Sequence, residues 1–132
     1  ANECVKELRR RGYTVVLATN PIFPAVATEA RIGWAGLDKS DFALITTYEN
    51  SYYCKPNPRY FADILERIGK KPSDCVMIGN DTEEDGAAAQ LGIPVYLLGD
   101  FIIESEGRKA ESFTRLSFED LKNYVASLPK LN

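Results

Sequence analysis

The sequence predicts an α/β fold built on an open parallel β-sheet. Short apolar runs that suit buried strands alternate along the chain with amphipathic segments that suit helices, which is typical of parallel sheets with helical crossovers. Polar clusters lie directly after predicted strands or directly before predicted helices, at the edge where open parallel sheets bind ligands. The 132 residues are enough for one domain of ordinary size.

The first third of the chain predicts a helix, a strand, a second helix and a second strand. Residues 2–11 place apolar side chains on one helical face, and Gly12 is well placed to end that helix. Residues 13–18 are β-branched and apolar, which suits a short buried strand. Pro21 suits the first turn of a helix that reaches about residue 32. Residues 41–47 are predicted to form the second strand.

The rest of the chain continues the same alternation. The predicted elements are a helix over residues 58–68, a strand over 75–79, a helix over 83–91, a strand over 94–98 and a helix from Ser117 to about residue 128. Glycine is well placed to end the first two of these helices, and a capping box opens the last. Residues 99–112 are polar and predict no regular element.

Composition and charge narrow the classes of function. The formal net charge is −3 and no long basic run occurs, which argues against nucleic acid as the main partner. No apolar stretch is long enough to span a membrane, and no signal-peptide pattern is present, so we expect no membrane partner. Three scattered cysteines argue against a disulfide framework and favour the reducing cytoplasm. The chain has no histidine, which excludes histidine-based triads and metal sites from it.

The most informative stretch is an apolar strand that runs into Gly79, Asp81 and Asp85. Two carboxylates where a buried strand meets a helix suit a hard cation such as Mg²⁺, which takes oxygen ligands and keeps several waters. The same residues suit a helix N-terminus, where aspartate is a favoured cap and acidic side chains complement the helix dipole. Taken alone, the stretch favours neither interpretation.

Two further polar positions lie at the ends of predicted elements. Thr19 and Asn20 follow the first strand, where a hydroxyl and backbone N–H groups at a helix N-terminus can bind an anion. Taken alone, the pair is better explained as an ordinary Thr/Asn helix cap. Lys55 stands just ahead of a predicted helix, where it can pair with a phosphate or a carboxylate. Most lysines are solvated and have no such role.

These residues, in this order, resemble the motifs of the haloacid dehalogenase-like (HAD) superfamily of phosphohydrolases. The stretch from Val15 to Asn20 is similar to the second motif of the family, Lys55 with Pro56 to the third, and the stretch from Gly79 through Asp85 to the fourth. Each motif is weak alone, but their order, spacing and strand context make the combination fairly specific. The resemblance covers nearly the whole chain and implies a Rossmann-like open parallel sheet.

The resemblance also implies roles for the site residues. Thr19 would hydrogen-bond a phosphoryl oxygen, with Asn20 adding backbone or amide contacts. Lys55 would neutralise charge on the phosphate and on the nucleophilic carboxylate. Asp81 would hold Mg²⁺ directly or through water, with Asp85 as a second metal ligand or as support for Lys55. The implied activity is Mg²⁺-dependent hydrolysis of small phosphate monoesters through an aspartyl-phosphate intermediate.

The first motif of the family, Asp-x-Asp-x-Thr after an apolar strand, does not occur in this chain. We therefore expect residues 1–132 to be the C-terminal portion of a HAD-like core domain, with the first motif and any cap upstream. The fragment alone is expected to be inactive. In the family the first-motif strand lies between the strands that carry Thr19 and Asp81. We therefore expect that these two strands do not pair directly and that an upstream segment is needed to complete the sheet.

Other functions remain open at the level of sequence. A non-catalytic domain of the same fold, which binds a phosphorylated ligand or a protein, would explain the missing nucleophile. Four intact site residues argue against it. The Asp81/Asp85 pair favours a phosphatase over a metal-independent dehalogenase, whereas a phosphomutase would differ in its cap. A dinucleotide-binding or P-loop domain is disfavoured, because neither glycine-rich signature occurs.

Overall fold

The structure, a computed structural model, describes residues 2–131, and these fold as two compact units. The first unit is the chain up to Tyr52 together with the segment from Lys122 onward, and the second is Tyr53–Leu121. Helices alternate with strands, and every ladder between strands is parallel. The predicted α/β class with parallel sheets is therefore confirmed.

The described part of the first unit up to Tyr52 contains two α-helices, a short 3₁₀ helix and a two-stranded sheet. The α-helices and strands are α1 (Asn2–Arg10), β1 (Val16–Leu17), α2 (Ala25–Trp34) and β2 (Leu44–Ile45). β1 and β2 are parallel, with Val16 opposite Leu44 and Leu17 opposite Ile45. Because parallel strands end at the same edge, the residues that follow β1 and β2 lie close together.

The second unit contains one long helix and a three-stranded sheet. The elements are α3 (Pro58–Ile68), β3 (Met77–Gly79), β4 (Val95–Leu98) and β5 (Thr114–Leu116). β4 is central and runs parallel to both neighbours. The apolar face predicted for α3 is buried, with Tyr60, Phe61, Ile64 and Leu65 in the core. Gly69 ends the helix in the left-handed conformation that glycine favours, with φ of 67°.

The last helix, α4 (Phe118–Ser127), begins with the predicted capping box. The Ser117 hydroxyl oxygen accepts a hydrogen bond from the Asp120 amide at 3.0 Å, and the Asp120 carboxylate accepts one from the Ser117 amide at 3.0 Å. These reciprocal bonds satisfy backbone donors that a helix start leaves without partners.

The residues after α4 close the first unit by returning to the end of α1. Arg11 Nη1 donates to the Leu128 carbonyl at 2.5 Å, and the Tyr13 hydroxyl donates to the Pro129 carbonyl at 2.7 Å. The Leu131 amide donates to the Arg11 carbonyl at 2.8 Å. The first unit is thus assembled from two stretches of sequence that are far apart along the chain.

The start of α2 differs from the prediction. The helix begins at Ala25 rather than at Pro21, and Pro24 in an extended conformation occupies the N-cap position. The Ile22 amide donates to the Asn20 carbonyl at 2.8 Å, so the segment that was assigned to the first helical turn folds as a tight turn. A proline fixes only its own φ, which suits such a turn as well as a helix start.

The helix predicted over residues 83–91 also differs. Only Gly86–Leu91 is helical, and it is a 3₁₀ helix. The amides of Asp85 and Gly86 both donate to the Asp81 carbonyl, at 3.0 and 3.2 Å, which makes residues 81–86 a turn. Glycine and aspartate are weak helix formers, so the local sequence does not favour a longer α-helix here.

The strand β5 was missed by the sequence analysis. Its residues Thr114 and Arg115 are exposed and only Leu116 is partly buried, so no alternating apolar pattern marks it. It is an edge strand whose position depends on pairing with β4. The short 3₁₀ helix Ala110–Ser112 precedes it.

The two strands that carry Thr19 and Asp81 belong to different sheets. β1 pairs with β2, and β3 pairs with β4. Both are shorter than the predicted runs 13–18 and 75–79. Over residues 2–131, no helix has the length and apolar character required to cross a membrane.

Candidate active site

Lys55 and Asp85 form a buried ion pair in the second unit. The lysine lies in the loop before α3 and the aspartate in the turn after β3. Lys55 Nζ lies 2.6 Å from Asp85 Oδ1, and the side chains are 9% and 6% exposed. Buried charges require a close partner, because each loses its solvation by water. The lysine at this position is therefore not the ordinary solvated residue that the sequence left possible.

The second carboxylate oxygen of Asp85 is held by the backbone. Asp85 Oδ2 accepts hydrogen bonds from the amides of Asn80 at 3.0 Å and Asp81 at 3.1 Å. Gly79 leaves room for this geometry, since a Cβ atom there would lie 2.8 Å from the Asp85 Cβ. Both carboxylate oxygens of Asp85 are thus engaged by the protein. This geometry favours the role of supporting Lys55 over that of a second metal ligand.

The Asp81 carboxylate has a different environment. Its Oδ1 accepts hydrogen bonds from the amides of Glu83 and Glu84, both at 2.9 Å. Within the described part of the chain, no residue donates a hydrogen bond to its Oδ2. The two sequence interpretations are therefore compatible, because one oxygen caps the turn and leaves the other for a cation.

The Asp81 carboxylate offers an oxygen donor of the kind that Mg²⁺ takes. Among residues 2–131 there is no group of three or more histidine, cysteine, aspartate or glutamate side chains that could hold a metal. Mg²⁺ usually keeps several waters and uses one or two protein carboxylates together with substrate phosphate oxygens. A single oriented carboxylate such as Asp81 suits that requirement.

Thr19 and Asn20 follow β1 in the first unit. The Thr19 carbonyl accepts a hydrogen bond from the Thr46 hydroxyl at 2.5 Å, and Thr46 is buried after β2. The Ile22 amide donates to the Asn20 carbonyl. These bonds fix the backbone of the segment after β1, as a binding segment at the edge of a parallel sheet requires.

The helix start that the sequence placed next to Thr19 and Asn20 lies at Ala25 instead. The first amide of that helix, at Ala25, donates to both carboxylate oxygens of Glu49, at 2.9 and 3.2 Å. A carboxylate from the chain itself thus satisfies the helix N-terminus, in the way an external anion would. Thr19 and Asn20 therefore do not lie at an open helix end.

Sequence reasoning did not identify two buried threonines that support the site residues. Thr46 is 1% exposed, and its hydroxyl donates to the Thr19 carbonyl. Thr82 is 0% exposed and directly follows Asp81, and its hydroxyl donates to the Arg108 carbonyl. The sequence signal that could have identified these two threonines is their position directly after a strand or after a motif that ends a strand. A threonine there is usually read as a turn or cap residue.

Comparison with known proteins identifies the family. The model of the haloacid dehalogenase-like hydrolase family matches residues 1–92, more than half of the chain. The chain belongs to this family. Within the HAD match lie all five residues that the motifs indicated: Thr19, Asn20, Lys55, Asp81 and Asp85.

Individual HAD proteins resemble the chain over different extents. The pyrophosphatase PpaX of Bacillus cereus is 29% identical over 79 residues, which are 60% of this chain and 35% of that protein. The crystal structure of a predicted phosphoglycolate phosphatase from Haemophilus somnus superposes with a TM-score of 0.75 at 20% identity, covering 93% of this chain and 54% of that one. A HAD phosphatase from Thermococcus onnurineus gives a TM-score of 0.74 at 20% identity, covering 98% and 57%.

The two structural matches establish the HAD fold. The chain spans about a third of the length of the matched pyrophosphatase and just over half of the length of each matched structure.

Proposed function

We propose that the full-length protein is a Mg²⁺-dependent phosphohydrolase that acts on small phosphate monoesters. The observation that carries the proposal is the buried Lys55–Asp85 pair, which lies in the same turn region as the oriented carboxylate of Asp81. A buried cation next to a cation-binding carboxylate suits a dianionic phosphate, whose charge grows or shifts during phosphoryl transfer. Family membership and the phosphatases among the matched proteins support this assignment.

Each of the five site residues has its own role in the proposed mechanism. Asp85 holds the Lys55 ammonium at a fixed position, and Lys55 places its charge against a phosphoryl oxygen. Asp81 provides a carboxylate oxygen for Mg²⁺, with its other oxygen fixed by backbone amides. Mg²⁺, when bound, supplies charge stabilisation to the transferring phosphoryl group. The Thr19 hydroxyl and the Asn20 amide orient the phosphate.

The nucleophile is proposed to lie in an upstream segment of the same protein. The carboxylate of an aspartate there would displace the alcohol from the phosphate monoester to form the aspartyl phosphate, and water would then hydrolyse this intermediate to release inorganic phosphate and restore the aspartate. The strand carrying it would supply the pairing partner that β1 and β3 do not provide for each other. The fragment of 132 residues would consequently be inactive by itself.

Hydrolysis of p-nitrophenyl phosphate by the full-length protein tests the proposal. Asp81→Asn keeps the shape of the side chain and removes its charge, so we expect the loss of most Mg²⁺-dependent hydrolysis. Asp63→Asn is the matched control, because Asp63 lies on α3 and pairs with Arg67 one turn away, at 3.3 Å. Unchanged activity in Asp81→Asn would remove Asp81 from the mechanism.

The competing function is a non-catalytic domain that binds a phosphorylated ligand or a protein partner. Absence of Mg²⁺-dependent hydrolysis in the full-length protein, together with binding of inorganic phosphate that requires Lys55, would favour it. The hydrolysis assay decides between the two functions, and calorimetric titration of phosphate into the wild type and Lys55→Met tests whether the ligand site uses Lys55.

A further inference from the structure

A segment far along the chain is hydrogen-bonded to the residues on both sides of Asp81. The Ile103 amide donates to the Asn80 carbonyl, and the Thr82 amide donates to the Ile103 carbonyl, both at 2.8 Å. Asp81 and Ile103 thereby form a parallel bridge outside the regular strands. We call residues 101–108 the brace segment.

The side chain of Thr82 fixes the far end of the brace segment. It is fully buried, and its hydroxyl donates to the Arg108 carbonyl at 2.6 Å while accepting from the Ser105 amide at 3.1 Å. Both hydrogen-bonding functions of the hydroxyl are therefore used, as a buried polar group requires. Removing the hydroxyl would leave a donor and an acceptor of the brace segment without this partner.

Further bonds join the same two stretches. The Asn80 side-chain amide donates to the Phe101 carbonyl at 3.3 Å, and Arg108 Nη1 donates to the Glu83 carbonyl at 3.4 Å. The residues around Asp81 thus bond to the brace segment, while the hydrogen bonds to the Asp81 carboxylate itself come from Glu83 and Glu84. The brace segment therefore holds the backbone on both sides of Asp81 and leaves the Asp81 carboxylate for a ligand.

We propose that the brace segment positions Asp81 for metal binding and that Thr82 is its positioning residue. The inference rests on the proposed function, since it takes Asp81 as the Mg²⁺ ligand. Groups that orient a metal ligand without touching the metal contribute strongly to metal affinity. The loss of one such group typically weakens metal binding by about 10–100-fold. Thr82 does not touch the metal in this proposal and acts only through the backbone of Asp81.

Binding of Mn²⁺ to the full-length protein, followed by electron paramagnetic resonance, tests the inference without relying on turnover. Mn²⁺ suits the same carboxylate and water ligands as Mg²⁺. We expect Thr82→Val, which keeps the shape but loses the hydroxyl, to weaken Mn²⁺ binding by about 10-fold or more. Thr82→Ser keeps the hydroxyl and should bind within about threefold of the wild type.

Asp81→Asn separates failure of the inference from failure of the proposed function. One outcome is that Asp81→Asn loses Mn²⁺ binding, whereas the Thr82→Val variant is folded and binds Mn²⁺ with the affinity of the wild type. The metal site at Asp81 would then be supported, and the proposed role of the brace segment would be overturned. If Asp81→Asn still binds Mn²⁺ normally, the metal site itself is wrong.

Amide hydrogen exchange in the unmodified protein provides a test that does not depend on the folding of a variant. Saturating Mg²⁺ should slow exchange at Thr82, Ile103 and Ser105, because a bound metal would stabilise the stretch to which these amides bond. Exchange rates at these amides that are the same with and without Mg²⁺ would overturn the coupling between brace and metal.

Discussion

Lys55 Nζ and Asp85 Oδ1 lie 2.6 Å apart, between side chains that are 9% and 6% exposed. Such a pair gives limited net stability when intact, but removal of one partner leaves an uncompensated buried charge. The pair therefore makes the site sensitive to single substitutions in a way that surface pairs do not share. The pair engages Asp85 Oδ1, while the amides of Asn80 and Asp81 engage Oδ2.

Asp85→Asn should destabilise the full-length protein strongly. We expect the free energy of unfolding to fall by about 3–5 kcal/mol, since the Lys55 charge stays buried without its counter-charge. Urea unfolding measures this change. Adding Lys55→Met to Asp85→Asn should recover part of the loss, and the absence of any recovery would show that the two residues do not interact energetically. Asp63→Asn should cost less than about 1 kcal/mol.

Gly79→Ala should displace the Asp85 carboxylate. The new Cβ would lie 2.8 Å from the Asp85 Cβ, closer than non-bonded carbon atoms allow. We expect loss of stability and a large fall in phosphatase activity of the full-length protein. Gly33→Ala is the matched control, because nothing lies within 4 Å of a Cβ there and alanine favours the helix. Equal effects of the two substitutions would contradict this account of Gly79.

The capping box of α4 should make stability depend on pH at the acidic end. Hydrogen bonds from the backbone of Ser117 and then from its side chain hold the pKa of Asp120 below its ordinary value. A carboxyl whose pKa is lower in the folded state stabilises the fold above its unfolded pKa of about 4, and this contribution disappears as the pH falls through the folded value.

Melting temperatures of the wild type and Asp120→Asn, measured from neutral to acidic pH, check this expectation. The difference between the two proteins should be largest at neutral pH and should shrink as the pH falls below about 4. A difference that grows on acidification would have the wrong sign. The expected effect is small, because the carboxyl is exposed to solvent.

The three cysteines should react with alkylating reagents at different rates. Cys54 is exposed, Cys75 is partly buried and Cys4 is buried. Burial, followed by the nearby Asp74 charge, raises the pKa of the Cys75 thiol and so lowers the fraction of reactive thiolate. Mass spectrometry after timed exposure to iodoacetamide should find Cys54 modified first. Modification of Cys75 before Cys54 would be the contrary result.

The sequence predicted the helix α3 well. The apolar residues of α3 recur at helical spacing and Gly69 stops the helix, so local information is sufficient there. Lys55, Asp81 and Asp85 lie beside elements with clear signals. The HAD assignment rested on these residues in order, and the family match confirms it.

Other features depend on contacts between distant residues and could not be read from local patterns. The strand β5 has two exposed residues out of three and exists through its pairing with β4. The start of α2 depends on Glu49, which is 24 residues away from Ala25 along the chain. The engagement of both Asp85 oxygens depends on turn geometry, which the spacing of two aspartates does not determine.

The return of the chain to α1 has a consequence for the order of folding during synthesis. The second unit is one continuous stretch, Tyr53–Leu121, whereas the first unit needs the segment from Lys122 onward. Domains fold largely as their sequence emerges from the ribosome. The second unit can therefore form before Leu128 and Pro129 are synthesised, and thus before Arg11 and Tyr13 can donate hydrogen bonds to their carbonyls. The first unit, whose N-terminal stretch is synthesised before the second unit, is therefore completed after it.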